Sequence, residues 1–277
     1  MKRACVIGWP IEHSRSPLIH GYWLKKYGIA GDYAKLAVHP ADVKKFLRSL
    51  AANDLAGCNV TVPHKEAAFA IADFKDPSAI AVGAANTIWR DGDKIGCANT
   101  DTYGFMTHLT REAPQWLKAD RPVAILGAGG AARAIAYGFL EAGVSDIRVF
   151  NRSRDRAEEL AAHFGSRVRA DDWVQFETSA NPYSVVVNTT TLGMKSASDV
   201  DFDLNQLPAD CVVADIVYVL LETGLLRRAR ARGLQTVDGL GMLLHQAVPG
   251  FEKWFGVKTE VTAELRALIE ADIRGAS

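Results

Sequence analysis

The stretch Val123-Ala124-Ile125-Leu126-Gly127-Ala128-Gly129-Gly130-Ala131-Ala132 decides how this chain folds. Its four leading apolar residues read as a buried strand. Glycines follow at once, and then Ile135, Ala136, Phe139 and Leu140 recur at helical spacing. A strand that turns on glycine directly into a helix opens a parallel β-α-β unit. In the pattern Gly127-x-Gly129-x-x-Ala132 each small residue has its own task. Gly127 makes the tight turn, Gly129 lets backbone approach a diphosphate, and Ala132 lets helix and strand pack closely. Ala128, Gly130 and Ala131 complete a loop at the positive end of a helix dipole, where N–H groups suit an anion. These features point to a dinucleotide; the plainer alternative is a glycine turn with no ligand. The loop by itself says nothing about a reaction.

Downstream, apolar runs near 123–127, 146–150, 184–188, 211–215 and 234–237 alternate with helical patterns, which predicts a doubly wound parallel sheet. The second of these strands ends in Asn151-Arg152-Ser153-Arg154-Asp155-Arg156. An acidic residue about 20 residues past the glycine turn would hold the ribose of NAD. No carboxylate stands at that tip, and Arg152 does. A guanidinium there suits a 2′-phosphate through paired charge-assisted hydrogen bonds, with Arg156 in reach and Asn151 and Ser153 as neutral donors. The alternative is a solvated basic helix start capped by Ser153. The expected cofactor is NADP(H) rather than NAD(H).

Upstream, Arg3–Ile7 reads as a strand, followed by a polar loop and a helix with Ser16 as N-cap and Pro17 in the first position. That helix runs to about Lys26. A second strand is expected over Asp32–Val38, a helix from Pro40, a third strand over Gly57–Val62 and a helix from Pro63. Strands near Asn86–Arg90 and Lys94–Ala98 flank Asp91-Gly92, a hairpin signal. A helix over 102–111 leads into the glycine-loop half without a Gly/Ser/Pro linker, and two helices, about 241–255 and 260–273, close the chain. The expected fold is α/β: an N-terminal α/β substrate domain with a mixed sheet (1–101), a Rossmann-like parallel-sheet NADP domain (102–238), and C-terminal helices (239–277) returning to the first.

Bulk properties narrow the class. Lysine plus arginine equals aspartate plus glutamate at 32 each among 277 residues, so no global charge bias points to nucleic acid or to an anionic membrane. Hydrophobic content of 48% with 23% charged residues is that of a globular protein. The cysteines, Cys5, Cys58, Cys97 and Cys211, stand singly without metal-ligand spacing, so no metal is expected and reduced packing residues are. The apolar run at the N-terminus is too short for a signal peptide. Cys211–Leu221 is broken by Asp215 and falls short of the ~18 residues of a membrane helix. A cytoplasmic monomer or homodimer is expected, acting on a small molecule.

Polar residues gather where strands of the first half end: Ser14 and Ser16, Thr61 and Lys65, Asn86, and Asn99-Thr100-Asp101. Ligands of open α/β sheets sit at such ends. Each residue also has a plainer reading: Ser16 and Asp101 as helix caps, Lys65 as a surface lysine, Asn86 as a turn residue. Lys65 is the least comfortable of them as a structural residue. In a first helical turn it faces the positive end of the dipole, which favours the neutral amine, while a carboxylate such as Asp101 favours the ammonium. A lysine balanced in this way can exchange a proton with an alcohol or ketone oxygen.

In chain order, Ile7-Gly8-Trp9-Pro10-Ile11-Glu12-His13-Ser14-Arg15-Ser16-Pro17, Asn59-Val60-Thr61-Val62-Pro63-His64-Lys65, Gly83-Ala84-Ala85-Asn86-Thr87, Asn99-Thr100-Asp101, Gly127–Ala132, Asn151-Arg152-Ser153, Asn188-Thr189-Thr190 with Gly193-Met194, and Asp238-Gly239-Leu240-Gly241-Met242 resemble the motifs of the shikimate dehydrogenase family over nearly the whole chain. The resemblance implies NADPH-dependent, reversible reduction of 3-dehydroshikimate to shikimate. It implies that Ser14 and Ser16 hold the substrate carboxylate, that Thr61, Asn86, Asp101 and Gln246 bind ring hydroxyls, and that Lys65 exchanges the proton with Asp101 as partner. Tyr218 matches a position near the carboxylate, and Ile216 and Gly239 match positions near the nicotinamide. Gln246 also reads as an exposed residue of a helix over 242–247. A family member preferring quinate, or using NAD, is the nearest rival; serines at 14 and 16 and arginines at 152 and 156 disfavour it. Two departures stand out. Val219-Leu220-Leu221-Glu222-Thr223-Gly224 lacks the prolines the family places after the tyrosine, which predicts a less restricted loop in the unfolded and open states. The acidic residue usual before Gly83 has no clear counterpart, since Asp76 precedes Pro77-Ser78.

Overall fold

The computed structural model describes residues 1–118, 120–178, 182–193, 200 and 202–275; Met194 of the motif above lies outside the described residues. The chain forms two compact units, Met1–Tyr103 with Leu244–Ser277, and Gly104–Leu243.

The first unit opens with β1 (Lys2–Gly8), α1 (Ser16–Lys26), β2 (Gly31–Ala37), α2 (Val43–Arg48), β3 (Gly57–Val60), α3 (Lys65–Ile71), β4 (Phe74–Lys75), α4 (Pro77–Val82), β5 (Thr87–Asp91) and β6 (Lys94–Ala98). These strands form one sheet in the order β2-β1-β3-β5-β6-β4. It is mixed: β1 runs parallel to β2 and β3, while β5 runs antiparallel to both β3 and β6. In consequence the C-terminal ends of β1, β3 and β6 and the start of β5 share one edge of the sheet. β4 and α4 were not legible, being a two-residue edge strand and a single helical turn and a half. Asp76 is the cap of α4, accepting the Ser78 N–H at 2.9 Å.

Two expected helix starts are corrected. Arg15 occupies the N-cap position of α1, and Ser16 is its first helical residue, whose N–H donates to Ser14 Oγ at 3.3 Å. The helix after the hairpin, α5 (Thr100–Glu112), begins two residues early, so Asp101 lies inside it and Asn99 Oδ1 accepts the Asp101 N–H at 3.2 Å. Asn99 thus takes the capping task expected of Asp101.

The second unit continues with β7 (Val123–Leu126), α6 (Gly130–Glu141), β8 (Ile147–Phe150), α7 (Arg154–Phe164), β9 (Val168–Asp171), α8 (Trp173–Thr178), β10 (Val185–Asn188), β11 (Val212–Asp215), α9 (Gly224–Ala231), β12 (Gln235–Val237) and α10 (Gly239–His245). Its sheet runs β12-β11-β10-β7-β8-β9, every pair parallel. Strand β7 buries both faces. Val123 and Ile125 enter one apolar cluster with Phe139 and Ile135; Ala124 and Leu126 enter another with Phe150 and Val213. This is why the run is apolar throughout rather than alternating. β9 escaped the pattern because Arg169 and Asp171 break its apolar run at the sheet edge. Since β7 lies between β10 and β8, the direction of winding reverses at β7, where α/β sheets open a crevice.

The chain then returns to the first unit with α11 (Ala247–Phe255) and α12 (Ala263–Gly275). The expected helix over 241–255 is broken at Gln246. Pro249 has no N–H to offer the carbonyl four residues back, so the helix restarts at Ala247. Trp254 of α11 docks on the sheet, its Nε1–H donating to Ile88 O at 2.8 Å. Gly57 makes room for that indole, since a Cβ there would lie 2.2 Å from Trp254 Nε1.

His20 of α1 is fully buried among Trp23, Tyr33, Phe251 and Trp254, stacked on Tyr33 at 4.0 Å. Neither ring nitrogen has a hydrogen-bond partner among the described residues. Burial lowers the imidazole from 6.5 to about 3. Below pH 6.5 the unfolded chain therefore binds a proton that the folded chain refuses. The stability contributed by the neutral ring is complete above about pH 6.5 and is lost progressively down to about pH 3. We predict that this ring alone removes about 2 kcal/mol between pH 7 and pH 5. Urea unfolding of the chain and of His20→Leu at both pH values tests it; equal pH dependence in the two would refute the assignment. Among the described residues no helix is long and apolar enough to cross a membrane.

Candidate active site

In the first unit the turn after β3 leads straight into α3, so Lys65 stands at the head of a helix beside the strand ends. Lys65 Nζ donates to Asp101 Oδ2 at 2.6 Å. Asn86 Nδ2 donates to the other oxygen, Asp101 Oδ1, at 2.9 Å. Backbone bonds lock the bases of these side chains together. Ala85 N–H donates to Lys65 O at 2.9 Å, Val60 N–H to Asn86 O at 2.8 Å and Asn86 N–H to Ala98 O at 3.1 Å. The Lys65 and Asp101 side chains are 30% and 16% exposed, enough for a small molecule to reach them.

Thr61 follows β3 at the same edge, its N–H donating to Ile7 O at 3.0 Å, and Ser14 and Ser16 follow β1. The two serines are tied to each other rather than to Lys65. Gln246, half-buried between α10 and α11, belongs to the first unit, whereas Tyr218 lies in the second. Thr87 and Thr100 were not singled out from the sequence, yet both hydroxyls bond to Asn86 Oδ1. Their signal was their place in the Asn86-Thr87 and Asn99-Thr100-Asp101 motifs.

In the second unit a cavity of about 640 Å³ opens at the winding reversal, lined by Gly127–Gly129, Phe150, Asn151, Arg152, Arg156, Trp173 and Thr189–Leu192. Gly127 is at φ +112°, and a Cβ there would fall 2.5 Å from Thr189 Oγ1, so only glycine satisfies both backbone and space. By contrast nothing lies within 4 Å of where a Cβ on Gly129 or Gly130 would be, which leaves backbone open to a bound group. Gly129 is the N-cap of α6 and Ala132 is fully buried. Ser153 occupies the N-cap position of α7 without a side-chain capping bond, and Asn151 Nδ2 donates to Ser153 O at 2.8 Å. Arg154 is held by Glu158 and Asp172. Arg152 and Arg156 are exposed, line the cavity and carry no ion pair among the described residues. Two uncommitted guanidiniums beside a glycine turn fit a phosphorylated ribose. Trp173 was missed because it stands just past the unrecognised β9.

Ile216 and Gly239 are brought together: a Cβ on Gly239 would sit 2.3 Å from Ile216 O. The loop after β11 is tied at both ends to buried Asp215. Its Oδ1 accepts the Val217 N–H at 3.0 Å and an Asn188 Nδ2 bond at 3.0 Å, and its Oδ2 accepts Thr223 Oγ1 at 2.7 Å. Thr223 in turn caps α9. In the folded chain a carboxylate thus restrains the stretch that lacks prolines.

Fold and side chains together are those of a two-unit, dinucleotide-dependent oxidoreductase. Comparison with known proteins narrows the class. Residues 6–88 match the shikimate dehydrogenase substrate binding domain, 111–196 the shikimate / quinate 5-dehydrogenase model, and 239–263 the shikimate 5′-dehydrogenase C-terminal domain. A relative from Azorhizobium caulinodans, named shikimate dehydrogenase (NADP(+)), is 53% identical over 99% of this chain and 97% of its own length. The crystal structure of shikimate 5-dehydrogenase from Thermus thermophilus in complex with NADP(H) and shikimate superposes with a TM-score of 0.84 at 32% identity, covering 100% of both chains. Quinate dehydrogenase from Corynebacterium glutamicum in complex with NAD superposes at 0.87 with 30% identity, covering 98% of this chain and 99% of the other. The chain belongs to the shikimate dehydrogenase family.

Proposed function

We propose that this chain catalyses the reversible reduction of 3-dehydroshikimate to shikimate with NADPH. The observation that carries the proposal is the Lys65–Asp101 pair, 2.6 Å apart at the edge where the strands end, with Asn86 on the second carboxylate oxygen. NADPH, when bound, supplies the hydride taken up by the carbonyl carbon. Lys65 Nζ gives its proton to the carbonyl oxygen in reduction and takes it back from the hydroxyl in oxidation. One N–H of the ammonium is committed to Asp101, and two are left for substrate. Asp101, pinned from the other side by Asn86, fixes the direction in which Lys65 points.

Ser14 and Ser16 are assigned to the substrate carboxylate, and Thr61, Asn86, Asp101 and Gln246 to ring hydroxyls. On the cofactor side, Gly127–Ala132 are assigned to the diphosphate and Arg152 and Arg156, with Asn151 and Ser153, to the 2′-phosphate. Ile216 and Gly239 are assigned to the nicotinamide end. The quinate reading is the weaker one, since the relative at 53% identity is named for shikimate and NADP(+). A reducing, cytoplasmic setting suits the four buried free thiols.

The test is direct. Chain incubated with shikimate and NADP⁺ is expected to form NADPH, and to form it much more slowly from quinate or with NAD⁺. No shikimate-dependent NADPH formation would remove the proposal; faster turnover of quinate would replace the substrate.

A further inference from the structure

Behind the Lys65–Asp101 pair runs a buried chain of hydrogen bonds whose direction can be read donor by donor. Tyr33 OH donates to Asn59 Oδ1 at 2.6 Å. Asn59 Nδ2 donates to the Asn86 carbonyl at 3.2 Å, which can only accept, so the amide's orientation is fixed. The same Nδ2 donates to Thr87 Oγ1 at 3.3 Å. Thr87 Oγ1 donates its single proton to Asn86 Oδ1, 3.1 Å away, and lies 3.0 Å from Thr100 Oγ1. Asn86 Oδ1 also receives the Thr100 N–H at 2.8 Å and the Thr100 hydroxyl at 3.0 Å. A backbone N–H only donates, so Asn86 must present its oxygen inward and its NH₂ to Asp101. Asn59, Asn86, Thr87 and Thr100 are 5%, 3%, 1% and 4% exposed, out of competition with water. Donors gathered on the amide oxygen polarise its N–H and strengthen the bond it makes to Asp101.

We infer that Thr87 and Thr100 are positioning residues for the Lys65–Asp101 pair, acting through the orientation of the Asn86 amide. The inference rests on the acid–base role given to Lys65 above. Removing the Thr87 hydroxyl leaves Asn59 short of an acceptor and Asn86 short of a donor. The amide then tilts, its hold on Asp101 loosens, and proton exchange at Lys65 slows while the cofactor unit is untouched.

The experiment compares Thr87→Val, nearly equal in shape, with Thr87→Ser, which restores the hydroxyl. Thr87→Val is expected to lower kcat about tenfold, the kinetic equivalent of one neutral hydrogen bond. The solvent deuterium isotope effect on kcat should rise as proton transfer becomes slower, and the Kd for NADPH should stay unchanged. Thr87→Ser should recover most of the rate and the wild-type isotope effect. If Thr87→Val fails to fold, Thr100→Val makes the same test, because it keeps the backbone N–H and removes only the second hydroxyl. A kcat within twofold of wild type in the valine variant that folds, or a serine variant as slow as the valine one, overturns the inference. Lys65→Ala separates the two ideas. If it stays active, the acid–base role fails and the inference with it; if it is inactive while the valine variant is normal, the inference alone fails.

Discussion

Lys65→Ala is expected to lower kcat by about 10²–10⁴-fold, the usual share of a positioned acid–base group. The reason lies in what the alanine leaves behind. Asp101 keeps its bond from Asn86 Nδ2 at 2.9 Å and stays in place, but no proton donor remains for the carbonyl oxygen. Folding should survive, because the Lys65 side chain is 30% exposed and a partly exposed ion pair contributes little to stability. The Kd for NADPH should also hold, since every residue assigned to the cofactor lies in the other unit. Steady-state kinetics with thermal unfolding as a control measures all of this. A loss of less than twofold in kcat, with substrate binding unchanged, removes Lys65 from proton transfer.

How far the sequence carried this picture depends on the kind of signal. The glycine turn was legible because its constraint is local: φ at Gly127 and the close approach of Thr189 both exclude a side chain. The strands of the second unit were legible because both faces of the sheet are buried and the apolar runs are continuous. Its edge strand β9 was not, since an edge needs no such run. Helix starts were misplaced by one or two residues at Ser16 and Asp101, where several neighbouring polar residues compete for one cap and only geometry picks the winner.

The candidate site divides along the same line. Lys65 and Asp101 stood out because an uncomfortable cation asks for a carboxylate. Thr87 and Thr100 did not, because a threonine beside an asparagine carries no sign of where its hydroxyl points. Only the pairing of β5 with β3 and β6 brings Asn59, Thr87 and Asn86 into line. Charge was legible at Arg152, at the strand tip, and at Arg156 within its reach. The structure adds why Arg154 stands apart, since it is committed to Glu158 and Asp172 while the other two line the cavity.

That division of labour among the arginines sets the second large effect. Replacing Arg152 and Arg156 together by glutamine should lower kcat/KM for NADPH by about a hundredfold, while kcat/KM for NADH changes by about threefold or less. Each guanidinium is expected to make a charge-assisted bond to the 2′-phosphate, at about 1.5 kcal/mol apiece in an exposed setting, and NADH lacks that group. Glutamine keeps a neutral donor and most of the chain length, and neither arginine has an ion pair to lose among the described residues. Stability should therefore stay near wild type. Salt should mimic the substitution in part, since added ions screen an exposed arginine–phosphate pair but have no 2′-phosphate to act on in NADH. Arg154→Gln is the internal control: it breaks the bridges to Glu158 and Asp172 and should leave the ratio of the two cofactors unchanged. Equal losses with NADPH and NADH in the double variant would show that the two arginines hold up the loop rather than read the phosphate.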